Sequence, residues 1–72
     1  MTFVPTHLRH LPFGLAFTLN EDDDLMAVRL REDNSYSKSL SDYQYVDIDN
    51  DNWTQDDEDT LMLIHQTLMG EN

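Results

Sequence analysis

The sequence predicts an α+β domain: a three-stranded antiparallel sheet with one C-terminal helix packed on it. Three observations carry that expectation. Apolar residues alternate with other residues in two stretches before residue 31 and again after residue 43. An apolar stripe of helical period follows residue 60, and Asp-rich or Ser-rich breaks separate these stretches.

Phe13, Leu15, Phe17 and Leu19 recur at every second position, as do Met26, Val28 and Leu30, which is the period of two half-buried strands. Between them, Asn20-Glu21-Asp22-Asp23-Asp24 reads as a hairpin loop of the longer kind, without the Gly that tight hairpins favour. Arg29 and Arg31 alternate with Val28 and Leu30, so the second strand is expected to carry the main positive patch. The Ser-rich segment from Asn34 to Asp42 reads as a connecting loop. A third strand is expected over Tyr43 to Asp49, with Val46 and Ile48 joining the core while Tyr45, Asp47 and Asp49 face away. The helix is expected from about residue 55 to 69. Asn52 or Thr54 would cap it, and Asp56, Asp57, Glu58 and Asp59 oppose the positive end of its dipole. Leu61, Ile64, His65 and Leu68 form the stripe it buries, and Gly70 stands at the C-cap position. Upstream, Thr6 to Leu11 before Pro12 reads as a single helical turn or a covering arm.

The 72 residues hold 15 Asp+Glu against 4 Lys+Arg, a formal net charge of −11. Residues 1–72 are therefore read as one small acidic domain. A chain of this size hides only about 60% of the surface its unfolded form exposes, which leaves no room for a large catalytic cleft. The absence of Cys removes disulfides, thiol catalysis and Cys-based zinc sites. With only 2 Gly there is no Gly-rich phosphate cradle, and no nucleophile or general acid/base pair assembles in the sequence. The reading is of a protein that is not an enzyme and needs no cofactor. The N-terminus lacks the basic and apolar regions of a signal peptide, and no apolar run reaches the roughly 20 residues of a membrane helix. A soluble cytoplasmic protein is expected. The sign of the charge opposes direct binding to nucleic acid or an anionic membrane, and a basic partner is its complement.

The acidity is clustered. All 4 bases lie before residue 39, and 11 of the 15 acids fall in two blocks, residues 21 to 24 and 47 to 59. In a strand, Asp47 and Asp49 would share one face, with Asp51 extending the row if the strand continued; Asp56, Asp57, Glu58 and Asp59 would fan around the helix start. Such a row suits a basic groove, whereas a solvated acidic face that merely favours solubility is the bland alternative. Tyr43, Tyr45 and Trp53 border the row. Tyr45 is the expected contact residue, and Trp53 is expected to pack under the first helical turn. The candidate partner-binding residues are thus Glu21, Asp22, Asp23, Asp24, Tyr45, Asp47, Asp49, Asp51, Asp56, Asp57, Glu58 and Asp59.

The twelve residues from Asp47 to Glu58 resemble an EF-hand calcium loop. The resemblance implies side-chain ligands from Asp47, Asp49 and Asp51, the backbone carbonyl of Trp53, a water-mediated contact through Gln55 and a bidentate Glu58. Asn52 replaces the Gly of the sharp turn, Thr54 stands where the family has an aliphatic residue, and the entering segment reads as a strand. His7 and His10, at i and i+3, lack a third ligand nearby in sequence, and His65 lies on the buried stripe of the helix; no metal role is assigned to them.

In size, charge and clustering the chain resembles the small acidic DNA-mimic inhibitors of phages and mobile elements, of the anti-CRISPR and anti-restriction type. That resemblance implies a protein that evades host defence in a bacterial cytoplasm by occupying the nucleic-acid groove of a basic partner, without catalysis. Two other readings stay open. One is a calcium-binding module using the 47–58 loop. The other is a small structural or assembly protein that forms a homodimer through the apolar remainder of its helix, Met62, Leu63 and Met69.

Overall fold

Two strands joined by the acidic turn form the centre of the sheet. The computed structural model describes residues 2–48 and 53–70. Its elements are β1 (Val4–Thr6), β2 (Leu15–Leu19), β3 (Leu25–Arg29), a 3₁₀ turn at Leu40–Asp42, β4 (Gln44–Tyr45) and α1 (Gln55–Gly70). The strands pair antiparallel in the order β1-β2-β3-β4. The α+β class is as expected, with four strands in place of three. The added strand, β1, is three residues long and centred on Pro5, which lacks an N–H; it lies at the sheet edge, where such a residue is tolerated.

Register decides what each face buries. Leu19 pairs with Leu25, Phe17 with Ala27 and Leu15 with Arg29, so the odd-numbered residues of β2 and β3 share a face. Helix α1 covers that face. Leu61, Ile64 and Leu68 pack with Leu8, Phe17, Leu19 and Leu25, and Val46, Ile48 and Trp53 join the edge of the cluster. Met26 and Val28 point the other way, with Ala16 and Thr18. On this second face Ala16, Thr18 and Met26 are buried and Val28 half-buried, and an aromatic group forms as Phe3 meets Tyr36 and Tyr43 at centroid distances of 5.9 and 5.8 Å. Tyr43 Oη donates to the Ser37 carbonyl at 2.6 Å, and Thr18 Oγ1 to the Thr2 carbonyl at 2.7 Å, so the buried hydroxyls are satisfied. Burial, reinforced by Tyr36 and Asp42, pushes the Tyr43 hydroxyl above its usual pKa of 10.0.

The third expected strand is shortened. Its pairing ends when Val46 N–H donates to the Leu25 carbonyl at 3.0 Å, because Leu25 is the first residue of β3 and the chain before it turns away. Asp47 therefore lies beyond the strand, and Asp49, Asp51 and Asn52, the rest of the expected row and one of the expected caps, lie outside the described residues. The helix opens as expected. Thr54 Oγ1 accepts from Asp57 N–H at 3.2 Å, and the Thr54 carbonyl accepts the first helical bond from Glu58 at 2.9 Å. Gly70 is the last helical residue and not a left-handed cap, since no described glycine has positive φ. The segment Thr6 to Leu11 leaves β1, buries Leu8 and closes one turn with Leu11 N–H on the Leu8 carbonyl. Among the described residues no helix is long and apolar enough to cross a membrane.

Candidate partner-binding surface

The acidic hairpin tip is organised by one amide. Asn20 Oδ1 accepts from the backbone N–H groups of Asp22 and Asp24, each at 2.9 Å, and the Asn20 carbonyl accepts from Asp23 N–H at 3.1 Å. Asp23 takes the left-handed conformation, φ 62°, that a Gly would ordinarily supply, and Asp is among the residues that tolerate it. The N–H donors of Asp22, Asp23 and Asp24 are thus drawn inward to Asn20. The side chains of Glu21, Asp22, Asp23 and Asp24 are all left in solvent.

Two other elements hold this tip. His65, on α1, places Nε2 2.7 Å from the Asp23 carbonyl and must carry the proton on that nitrogen, because a carbonyl only accepts. Asn20 Nδ2 also donates to Tyr45 Oη at 3.5 Å, which sets the Tyr45 ring, 69% exposed, beside the acidic tip. Tyr45 thereby borders residues 21 to 24 from the sheet side, while the helix borders them from the other.

The second acidic block is employed differently. Asp57 is only 3% exposed and is not available to a partner, which corrects its place in the candidate surface. Its carboxylate lies 3.4 Å from His10 Nδ1, and the same nitrogen lies 3.0 Å from Thr54 Oγ1, so the N-terminal arm is fastened to the helix start. Burial is tolerated there because the helix N-terminus favours negative charge. Asp56 pairs with Arg9 at 3.6 Å, an exposed contact worth little, and Asp59 accepts from Gln55 Nε2 at 3.0 Å. Glu58 is half-buried, and Asp47 is exposed. Trp53 packs against the core and donates Nε1–H to the Asp47 carbonyl at 2.9 Å.

The other two arginines have partners of their own. Arg29 stacks over the Phe13 ring at 4.1 Å, and Arg31 donates to Ser35 Oγ at 3.1 Å. Neither is ion-paired to the hairpin tip among the described residues. Asp33 is held below the usual carboxylate range by hydrogen bonds from the Ser35 hydroxyl and N–H in the neighbouring exposed turn.

Of the calcium-loop positions, Asp47, Trp53, Gln55 and Glu58 are described, and Asp49 and Asp51 are not. Gln55 is turned to Asp59, and the Asp47 carbonyl is taken by Trp53. No group of three or more His, Asp or Glu side chains among the described residues is placed to hold a metal ion. Sequence reasoning missed Asn20 and His10, and it took His65 only as part of the buried stripe. Asn20 had a legible signal, since an Asn opening a turn commonly caps it; His10 and His65 act across 44 and 42 residues of chain, which no local pattern reveals. No protein-family model matches the chain, and searches of curated proteins and of solved structures return no match.

Proposed function

We propose that this chain is a non-catalytic binding protein whose acidic surface occupies the nucleic-acid-binding groove of a basic protein, as small DNA-mimic inhibitors of the anti-CRISPR and anti-restriction type do. The observation that carries the reading is the hairpin tip. Four successive carboxylates, Glu21 to Asp24, stand in solvent on a turn in which the N–H groups of Asp22, Asp23 and Asp24 are taken by Asn20, with an exposed Tyr45 beside them. Exposed like charges repel each other, and concentrating them at one tip is a cost that a basic groove would offset. Asp47, Asp56 and Asp59 extend the negative field, while Asp57 serves the fold. Long-range attraction would speed association and make it salt-sensitive.

Affinity capture with the full chain, with and without competing duplex DNA, tests this reading. Capture of nucleic-acid-binding proteins that DNA displaces, and that a variant with a neutralised tip fails to capture, is the expected result. Capture unaffected by DNA would overturn it.

A further inference from the structure

The outward face of α1 is not polar. Met62 is 49% exposed, Leu63 63% and Met69 45%, although the helix already buries Leu61, Ile64 and Leu68 on its inner side. Met62 and Met69 are seven residues apart, so they lie on one line along the helix, while Leu63 stands about a quarter turn around it on the same exposed side. This line runs on toward the helix start through Asp59, an exposed acid one turn before Met62. At the other end, Met69 lies one turn beyond His65, which holds the acidic hairpin tip through Asp23. Exposed acids thus adjoin the line at two places, Asp59 one turn before Met62 and the hairpin tip beside His65, between Met62 and Met69.

That arrangement selects its occupant. A second copy of this chain would bring another net charge of −11 to the face, so like charge opposes its docking there. A partner with an apolar centre between basic flanks meets the line with matching chemistry throughout. Resting on the function proposed above, we propose that the Met62/Leu63/Met69 face docks an apolar patch of the basic partner, such as one face of a basic amphipathic helix. The tip and Asp59 then bind the flanking Lys or Arg residues. Charge would set the association rate and this face the residence time.

The probe is a synthetic helical peptide with a Leu stripe between Lys flanks, compared with a peptide of equal charge in which Ser replaces each Leu. Affinities are measured with the full chain, with M62S/L63S/M69S and with E21K/D22K/D23N/D24K; circular dichroism establishes that each variant is folded. The wild type is expected to bind the Leu peptide about 10-fold more tightly than the Ser peptide, and M62S/L63S/M69S to erase that difference while binding the Ser peptide like the wild type. The tip variant should weaken both. If M62S/L63S/M69S retains the full preference for Leu, the docking face is wrong although the acidic reading stands. If the tip variant binds both peptides as the wild type does, the acidic reading itself fails. Sedimentation showing a wild-type dimer that the triple Ser variant dissociates would assign the face to a second copy and overturn the proposal.

Discussion

The two acidic blocks are alike in composition and opposite in use. At the helix start, Asp57 is buried against His10 and Thr54, Asp56 pairs with Arg9 and Asp59 accepts from Gln55, so that block is largely engaged in holding the arm and the helix together. At the hairpin tip, Asn20 takes the backbone donors and leaves all four carboxylates in solvent. A run of acids is thus a poor guide to function until the partners of each carboxylate are known. Clustering marks candidates, and burial sorts them.

The largest difference between the blocks should appear in binding. E21K/D22K/D23N/D24K is expected to weaken a basic partner about 100-fold, whereas D47K/D56K/D59K should cost about 10-fold or less. The two variants change the net charge by seven and six units, so unequal losses report position and not total charge. Asp23 is changed to Asn because its φ of 62° would strain a Lys. Equal losses would mean that net charge alone attracts the partner.

In stability the order reverses. Asp57→Ala is expected to cost about 2 kcal/mol in thermal unfolding, since it removes a buried carboxylate from His10 and from the helix N-terminus. Thr54→Ala should cost about 1 kcal/mol as a lost cap, and Asp22→Ala at the tip close to nothing. A smaller loss for Asp57 than for Asp22 would refute this division of roles.

Asn20→Ala tests the tip's construction. It releases the inward-drawn N–H groups of Asp22 and Asp24 and should cost about 1 kcal/mol while loosening Tyr45. Broadened tip resonances would accompany the loss.

The fold was legible where period and capping are local. The alternation of β2, the helix boundaries and the inward placement of Val46 and Ile48 follow from side-chain pattern alone. What escaped were the effects of register and distance. The turn pairs Leu19 with Leu25, and this alone sends Met26 to the second face, opposite Thr18 and Tyr45, where the sequence offers no sign of a second apolar layer. β1 escaped because a three-residue strand around Pro5 has no readable period. The candidate site was legible as clusters of acid, yet Asp57 could not be separated from its neighbours without His10, 47 residues away.

The last expected effect concerns the second face and pH. The raised pKa of Tyr43 means that the folded state holds this proton more tightly than the unfolded chain. The resulting stability is present below the unfolded value of 10.0 and is lost as pH rises through the folded value. Tyr43→Phe should remove that alkaline loss, and at neutral pH cost about 1 kcal/mol for the hydrogen bond to Ser37.

That the tip, more than the helix start, meets a basic partner is tested most directly by amide chemical shifts of the labelled chain titrated with the Leu/Lys peptide. The account predicts the largest shifts at Glu21 to Asp24, Tyr45 and Met62 to Met69. Shifts confined to residues 53 to 59 would contradict it.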